Sequence, residues 1–297
     1  MLNPLAVITE RTGGVPIHTM GYCLGGTLLA IAASALSRPQ QVKDAQHIAP
    51  IASMSLLASQ LDFHDAGELG VFLDEAQVSF LEDLMSEKGY LSGQQMGQSF
   101  EYLRARDLFW SARVREYWLG KPEVPNDLMS WNADVTRMPA AMHSQYLHAF
   151  YLHNALAEGR YEVEGEPVSL GDFRAPIFAV GTVKDHVTPW KSAYQVMRLT
   201  SSEVTFVLAS GGHNAGVISP PGVPHRSYQQ LTTQAGAHIE SPTTWQHTAP
   251  TTEGSWWPAW HAWLSAHSGG NVPAATRQPM ATLGAAPGEY VWVRYDD

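Results

Sequence analysis

Gly21-Tyr22-Cys23-Leu24-Gly25-Gly26 is the stretch that decides the fold. An apolar run ending at Met20 precedes it, and an alanine- and leucine-rich run at 27–36 follows it. A strand, a sharp turn and a helix, with Gly-x-nucleophile-x-Gly in the turn, form a nucleophile elbow. Glycines two positions before and two after the nucleophile are expected there, because a Cβ atom has no room beside the strained turn. The pattern predicts that Cys23 is a nucleophile.

Cys23 is the only cysteine of the chain. The predicted helix behind it directs its positive N-terminal end at the turn, which favours the thiolate, the reactive form of a cysteine. The alternative is a structural role, because a single cysteine is often a small buried apolar side chain. The glycines and the strand–helix context favour the catalytic interpretation.

The amino-acid composition argues against several classes of protein. The chain has 297 residues, of which 44% are hydrophobic and only 15% charged, with a net charge of −10. This balance and the lack of a basic patch argue against a nucleic-acid partner. We expect no signal peptide and no membrane span, because no suitable apolar run exists. One cysteine excludes an internal disulfide framework, which fits a reducing cytoplasm.

The pattern along the chain changes twice. Residues 1–60 alternate between strand-like and helical runs and are predicted to form the first part of an α/β core. Residues 61–172 show mainly helical periodicity and are predicted to be an inserted cap. Residues 173–297 return to the core pattern, with a Pro-, Thr-, Ser- and Gly-rich tail from about 220 that we expect to loop over the surface and to include an aromatic helix start at 255–264.

Four arginines cluster in the predicted cap, at Arg104, Arg106, Arg113 and Arg115. A solvated helix face is the simpler interpretation. A contact to phosphate groups of a charged substrate is the alternative.

Two further residues with catalytic chemistry follow predicted strands. Asp185 comes after the run 176–182, and His213 comes after the run 204–209. Because functional residues of open α/β sheets lie beyond the carboxyl ends of the strands, both are expected near Cys23. The chain order nucleophile, acid, histidine is that of α/β-hydrolase enzymes. His213 would take the thiol proton, and Asp185 would orient the imidazole.

Other residues complete the predicted site. The Leu24 N–H is the expected first donor to an oxyanion. His186, next to Asp185, could shape the site or pair with another loop. No metal is expected, because one cysteine and no His-Glu-x-x-His motif leave no ligand spacing of a known kind.

The chain resembles the catalytic domain of the class I polyhydroxyalkanoate synthases over nearly its whole length. The blocks that carry the resemblance are GYCLGGT (21–27), LDFHDAG (61–67), WNADVT (131–136), YLHN (151–154), KDHVTPW (184–190), GGHNAGVISPP (211–221), GSWWPAW (254–260) and APGEYV (286–291). The resemblance implies an α/β-hydrolase-type, mainly parallel sheet with a helical cap.

The resemblance also implies an activity. Family members polymerise (R)-3-hydroxyacyl-CoA, here a short unit such as 3-hydroxybutyryl-CoA, into a polyester and release CoA. Cys23 would carry the acyl group as a thioester, His213 would activate the thiol, and Asp185 would activate the 3-hydroxyl group. No cofactor is implied, because the CoA thioester is the substrate. A homodimer at cytoplasmic polymer granules is the implied setting.

The resemblance has one departure. The family's N-terminal domain and first core strands have no counterpart before Cys23, so we expect an N-terminally truncated sheet with an exposed edge at the nucleophile strand. The loop that usually supplies the second oxyanion N–H is also without a counterpart. We therefore expect little or no polymerase activity from this chain alone. Two alternatives stay open: a thioesterase or polyester hydrolase of the same fold, and a catalytically incomplete, granule-associated fragment.

Overall fold

A computed structural model of the chain describes residues 2–38, 47–103, 110–121, 124–270 and 284–293. The chain divides into two compact units. The first is Met1–Leu73 with Ala149–Gly269, and the second is Asp74–His148 with Gly270–Asp297. Residues 61–73 and 149–172 of the predicted cap lie in the first unit, and residues 270–297 of the predicted core lie in the second.

Helices and strands alternate in the first unit and helices predominate in the second. The helices are α1 Leu2–Thr12, α2 Leu24–Leu36, α3 Glu75–Ser86, α4 Gly93–Leu103, α5 Ser111–Arg113, α6 Asp127–Ala133, α7 Ala140–Tyr146, α8 Trp190–Tyr194, α9 Val196–Leu199, α10 His213–Val217, α11 Pro242–Thr248 and α12 Trp257–His267. The strands are β1 Ile17–Tyr22, β2 Ile51–Leu57, β3 Tyr90–Leu91, β4 Met138–Pro139, β5 Glu162–Val163, β6 Glu166–Pro167, β7 Ile177–Thr182, β8 Val204–Ala209, β9 Ser227–Thr233 and β10 Thr251–Glu253. Short π-helical segments, Val114–Trp118 and Leu147–Leu152, extend α5 and α7.

The main sheet has the strand order β1-β2-β7-β8-β9-β10. The first four strands are parallel, and β9 and β10 join in antiparallel fashion. Every residue of β7 and β8 is buried, as expected for parallel strands that are covered on both faces. The mainly parallel α/β sheet is confirmed.

β1 is the outer strand of this sheet in the part of the chain that the structure describes. Its Met20 is 56% exposed. The predicted exposed edge at the nucleophile strand is therefore present in the described sheet.

The prediction of a surface loop from about residue 220 is wrong for the described residues 227–253, whereas the aromatic helix expected from residue 255 is present as α12. The tail adds two strands and two helices to the first unit, and the Trp245 side chain of α11 is 1% exposed. α11 begins with the serine N-cap that is typical of helices, because the Ser241 side chain accepts a hydrogen bond from the Thr244 N–H. β9, with the sequence Ser-Tyr-Gln-Gln-Leu-Thr-Thr, has only partly buried or exposed residues. Its polar composition hid the strand from a search for apolar periodicity.

The described residues of the second unit between Asp74 and His148 are largely helical. Arg104 and Arg106 of the predicted arginine cluster lie outside the described residues. Arg113 lies 3.8 Å from the Glu116 carboxylate, one helical turn along, and both side chains are more than half exposed. That exposure favours the solvated-face interpretation for Arg113. None of the helices in the described segments combines the length and the apolar character that crossing a membrane requires.

Candidate active site

The turn between β1 and α2 holds Cys23 in a strained conformation. Its φ of 52° and ψ of −128° lie in a region that side-chain-bearing residues rarely adopt, at a cost of about 1–3 kcal/mol. The surrounding backbone enforces this geometry. The Cys23 N–H donates to the Leu57 carbonyl at 2.9 Å, and the Cys23 carbonyl accepts from the Gly26 N–H at 2.9 Å. Cys23, which is half-buried, therefore lies in the strained strand–turn–helix geometry of a nucleophile elbow.

The structure corrects which glycines the elbow needs. A Cβ atom on Gly21 would stand 2.4 Å from the Gly26 Cα, so the position two before Cys23 must be glycine, as predicted. Gly25, two residues after Cys23, has open space around it, which contradicts the prediction. The steric requirement falls on Gly26 instead, where a Cβ atom would stand 1.9 Å from the Ser59 Oγ.

Leu24 is the first residue of α2, directly after Cys23. The first N–H groups of a helix have no acceptor within the helix, so the Leu24 N–H is available to a ligand. Its place at the positive end of a 13-residue helix suits a negatively charged oxygen. The predicted oxyanion role of Leu24 fits this position and stays a prediction.

Asp185 lies in the loop after β7, and its side chain is fully buried. One oxygen, Oδ1, accepts hydrogen bonds from the Val187 and Thr188 N–H groups at 2.9 and 2.8 Å. The other, Oδ2, accepts from the Thr182 hydroxyl at 3.2 Å and from His213 Nδ1 at 2.8 Å. Four donors thus fix the carboxylate.

His213 is the first residue of α10 and its side chain is 12% exposed. Burial lowers the pKa of the imidazole, but hydrogen bonds with Asp185 and Cys23 and their negative charges outweigh it and raise the pKa to about 9. Because a carboxylate can only accept, Nδ1 carries a proton toward Asp185, and Nε2 is left to exchange a proton with Cys23. The structure brings together the three predicted residues Cys23, Asp185 and His213.

Tyr22 contacts His213, and the sequence did not predict this contact. Its ring stacks on the His213 imidazole with centroids 5.4 Å apart and planes at 28°. Its hydroxyl donates a short hydrogen bond to Asn214 Oδ1 and lies 3.3 Å from the His213 carbonyl oxygen. Burial, followed by the charges of Cys23 and Asp185, raises the pKa of the phenol. The only sequence feature that could have pointed to Tyr22 is its position next to Cys23.

Arg226 is a second residue that the sequence did not single out. Its Nη1 lies 3.0 Å from where a Cβ atom on Gly211 would stand, in the turn that leads to His213. Its Nε is buried, and no acceptor within the described segments reaches it. A guanidinium beside the catalytic loop offers a site for an anion.

His186 is half-buried in the loop between Asp185 and Thr188. Its carbonyl oxygen lies 3.2 Å from where a Cβ atom on Gly67 would stand, so the residue packs against the loop after β2. This placement is compatible with a role in shaping the site, which stays a prediction.

Comparisons with known proteins indicate the family of this chain. A family model described as alpha/beta hydrolase fold matches residues 1–220. The poly(3-hydroxyalkanoate) polymerase subunit PhaC of Rhizobium meliloti is 41% identical over 98% of this chain and 46% of that protein. The corresponding subunit of Cupriavidus necator is 36% identical over 98% of this chain and 49% of that protein. Among solved structures, the chain is similar to a monoacylglycerol lipase of Paleococcus ferrophilus, with 14% identity, a TM-score of 0.44 and coverage of 90% and 74% of the two chains.

The chain spans about half the length of the curated relatives it matches. The family model covers most of the chain and includes Cys23, Asp185 and His213. The chain therefore belongs to the α/β-hydrolase fold family, and within it is a homologue of the poly(3-hydroxyalkanoate) polymerases.

Proposed function

We propose that this chain carries the acyl-transfer site of a polyhydroxyalkanoate synthase. It would accept (R)-3-hydroxyacyl groups, such as 3-hydroxybutyryl, from CoA and add them to a growing polyester. The observation that carries the proposal is the hydrogen-bonded Asp185–His213 pair acting on Cys23 at an elbow. Homology to the polymerases selects this chemistry among the reactions that such a triad supports.

A cysteine suits this reaction better than a serine would. The thiolate is a good nucleophile and also a good leaving group. Exchange of one thioester for another changes the free energy little, so the acyl group can be held on Cys23 without being trapped there.

The first half-reaction is loading. His213 Nε2 takes the proton of the Cys23 thiol, and the sulfur attacks the thioester carbonyl of the substrate. The Leu24 N–H stabilises the oxyanion. The new carbon–sulfur bond to Cys23 forms, the bond to the CoA sulfur breaks, and His213 returns the proton to the departing CoA.

The second half-reaction is chain growth. The 3-hydroxyl of another hydroxyacyl unit loses its proton to His213 and attacks a Cys23 thioester, so that an ester bond forms and the cysteine is released. Asp185 is fully buried and bonded to His213 Nδ1. That environment supports an orienting role for Asp185 in both steps, rather than direct contact with the hydroxyl.

Arg226 supports CoA as the acyl carrier. The chain has a net charge of −10, yet the Arg226 guanidinium lies beside the turn at Gly211, with a buried Nε that no acceptor in the described part of the chain reaches. The phosphates of CoA are the matching anions, since planar guanidinium groups bind phosphate oxygens in pairs. The homodimer and the polymer granule stay predictions from homology.

The test is incubation of the purified chain with 3-hydroxybutyryl-CoA, with thiol release followed over time and the products separated. Oligomeric or polymeric 3-hydroxybutyrate supports the proposal and contradicts the expectation of little or no polymerase activity from this chain alone. Free 3-hydroxybutyrate identifies a thioesterase instead. Unchanged thioester, with an unmodified Cys23, identifies a chain that lacks a working site.

A further inference from the structure

We propose that Tyr22 is a positioning residue that ties the His213 helix to the nucleophile elbow, with Asn214 as its partner. We call the Tyr22–Asn214 hydrogen bond the latch. This inference rests on the proposed function, because it gives Tyr22 a task only if His213 serves Cys23.

The topology creates a need for such a tie. Cys23 follows β1 and His213 follows β8, and two strands, β2 and β7, lie between them. Three strand spacings amount to about 14 Å across the sheet. Cys23 and His213 therefore follow strands that are well separated along the carboxyl edge of the sheet. The segments after β1 and β8 must bring the two side chains together.

Tyr22 is the covalent neighbour of Cys23 and reaches the base directly. Its hydroxyl donates to Asn214 Oδ1 and approaches the His213 carbonyl oxygen at 3.3 Å, across 192 positions of sequence. Its ring covers one face of the imidazole. One side chain thus restrains both the first turn of α10 and the plane of the catalytic ring.

The latch acts on a helix that needs outside support. α10 has only five residues, too few to be stable alone. At its far end, the indole N–H groups of Trp256 and Trp257 donate to the Gly216 and Val217 carbonyls, each at 3.0 Å. These bonds hold the C-terminal turn, whereas the end that carries His213 is held by the Asp185–His213 hydrogen bond and by the latch.

The charges around the ring keep Tyr22 a donor. Cys23 faces the imidazole from the elbow and Asp185 from the loop after β7, while Arg226 lies beside the preceding turn. Burial of the phenol disfavours a phenolate most, and the negative charges of Cys23 and Asp185 add to this effect. The hydroxyl therefore stays protonated and donating over the pH range in which His213 exchanges its proton.

Tyr22→Phe tests the hydroxyl because it keeps the stacked ring. Asn214→Ala removes the partner, and Tyr194→Phe is the matched control. Tyr194 is also buried and its hydroxyl donates to a backbone carbonyl, that of Glu240 at 3.1 Å, away from the site. Two readouts use the full chain without substrate: the His213 titration midpoint by NMR, and the rate at which iodoacetamide alkylates Cys23, the sole cysteine.

Loss of the latch should loosen the Asp185–His213 bond. The titration midpoint of His213 should therefore fall from about 9 toward 6.5. Alkylation at neutral pH should slow by about 2- to 10-fold, the factor that one hydrogen bond contributes. Tyr194→Phe should change neither the midpoint nor the alkylation rate. The double variant that combines Tyr22→Phe and Asn214→Ala should change them no more than the more severe of the two single variants, because both remove the same hydrogen bond.

An unchanged midpoint and rate in folded Tyr22→Phe would overturn the proposal. If that variant does not fold, Asn214→Ala decides by the same criterion. Equal shifts in Tyr194→Phe would also overturn it, because they would reveal a general loss of stability. Neither readout needs an acyl-CoA, so a chain that fails to release CoA disproves the proposed function and still allows this test.

Discussion

The Oδ2 atom of Asp185 and the Nδ1 atom of His213 are 2.8 Å apart, and the aspartate side chain has no exposed surface. Because the carboxylate accepts this bond, the proton on Nδ1 is fixed and Nε2 is left for proton exchange. The pair sets the tautomer and the orientation of the base, and the reactivity of Cys23 depends on both.

Asp185→Asn should disable the base while largely keeping the fold. The new amide can still accept the Val187 and Thr188 N–H bonds, but its NH₂ group can donate to Nδ1 and shift the imidazole proton to Nε2. Such a tautomer cannot accept the thiol proton. CoA release should fall about 10²- to 10⁴-fold. Asp172→Asn, the same change before β7 at the opposite end of the sheet, is the control and should leave the rate near that of the wild type.

Stability should fall as pH rises above neutral. The pKa of His213 is about 9 in the fold and 6.5 in the absence of its partners. Because the folded pKa is the higher one, the stabilisation is complete below about pH 6.5 and is lost as pH rises through about 9. Its upper limit is about 3 kcal/mol. Urea unfolding between pH 6 and 9.5 measures it.

His213→Gln supplies the control for this pH dependence and should flatten the profile between pH 7 and 9. His143, whose pKa is lowered by burial, titrates below this window. Parallel profiles for the wild type and His213→Gln would show that His213 is not the group responsible.

Gly25→Ala and Gly26→Ala form a matched pair of changes in adjacent positions. Gly25 has open space, so alanine should be neutral or add about 0.5–1 kcal/mol of helix stability. Gly26→Ala places a methyl group against Ser59 and should lower the free energy of unfolding by about 1–3 kcal/mol. Ser59→Gly should restore much of this loss. Equal effects of the two alanines would contradict the steric assignment.

Arg226→Gln should weaken binding of CoA by about 10-fold or more, the contribution of a charge-assisted hydrogen bond. Calorimetric titration with CoA measures this directly. Arg226→Lys should retain part of the affinity, with a stronger dependence on salt. Arg174→Gln, an exposed arginine at the other end of the sheet, serves as the control. Unchanged affinity in Arg226→Gln would exclude this residue from CoA binding.

The parallel core and the proximity of Cys23, Asp185 and His213 could be predicted because their signals are local. β7 and β8 are continuous apolar runs, and Asp185 and His213 follow them directly. The carboxyl ends of parallel strands meet at one edge, so three strand ends are enough to place the site.

The remaining features depend on contacts between distant parts of the chain. Nothing in the local pattern pairs Tyr22 with Asn214, or Arg226 with the turn at Gly211. The motif spacing marks Gly25 rather than Gly26, and only the position of Ser59 in the fold shows that Gly26 is the constrained one. The polar strand β9 was missed because its side chains are not fully buried.

Trapping of the acyl-enzyme tests the central claim most directly. The purified chain is mixed with excess 3-hydroxybutyryl-CoA, and the reaction is quenched in acid. The protein is then digested, and the mass of the peptide containing Cys23 is measured by mass spectrometry. The account predicts one hydroxybutyryl group on Cys23, removable by hydroxylamine, and none in Cys23→Ala. An unacylated Cys23 peptide under conditions in which CoA is released would contradict the account.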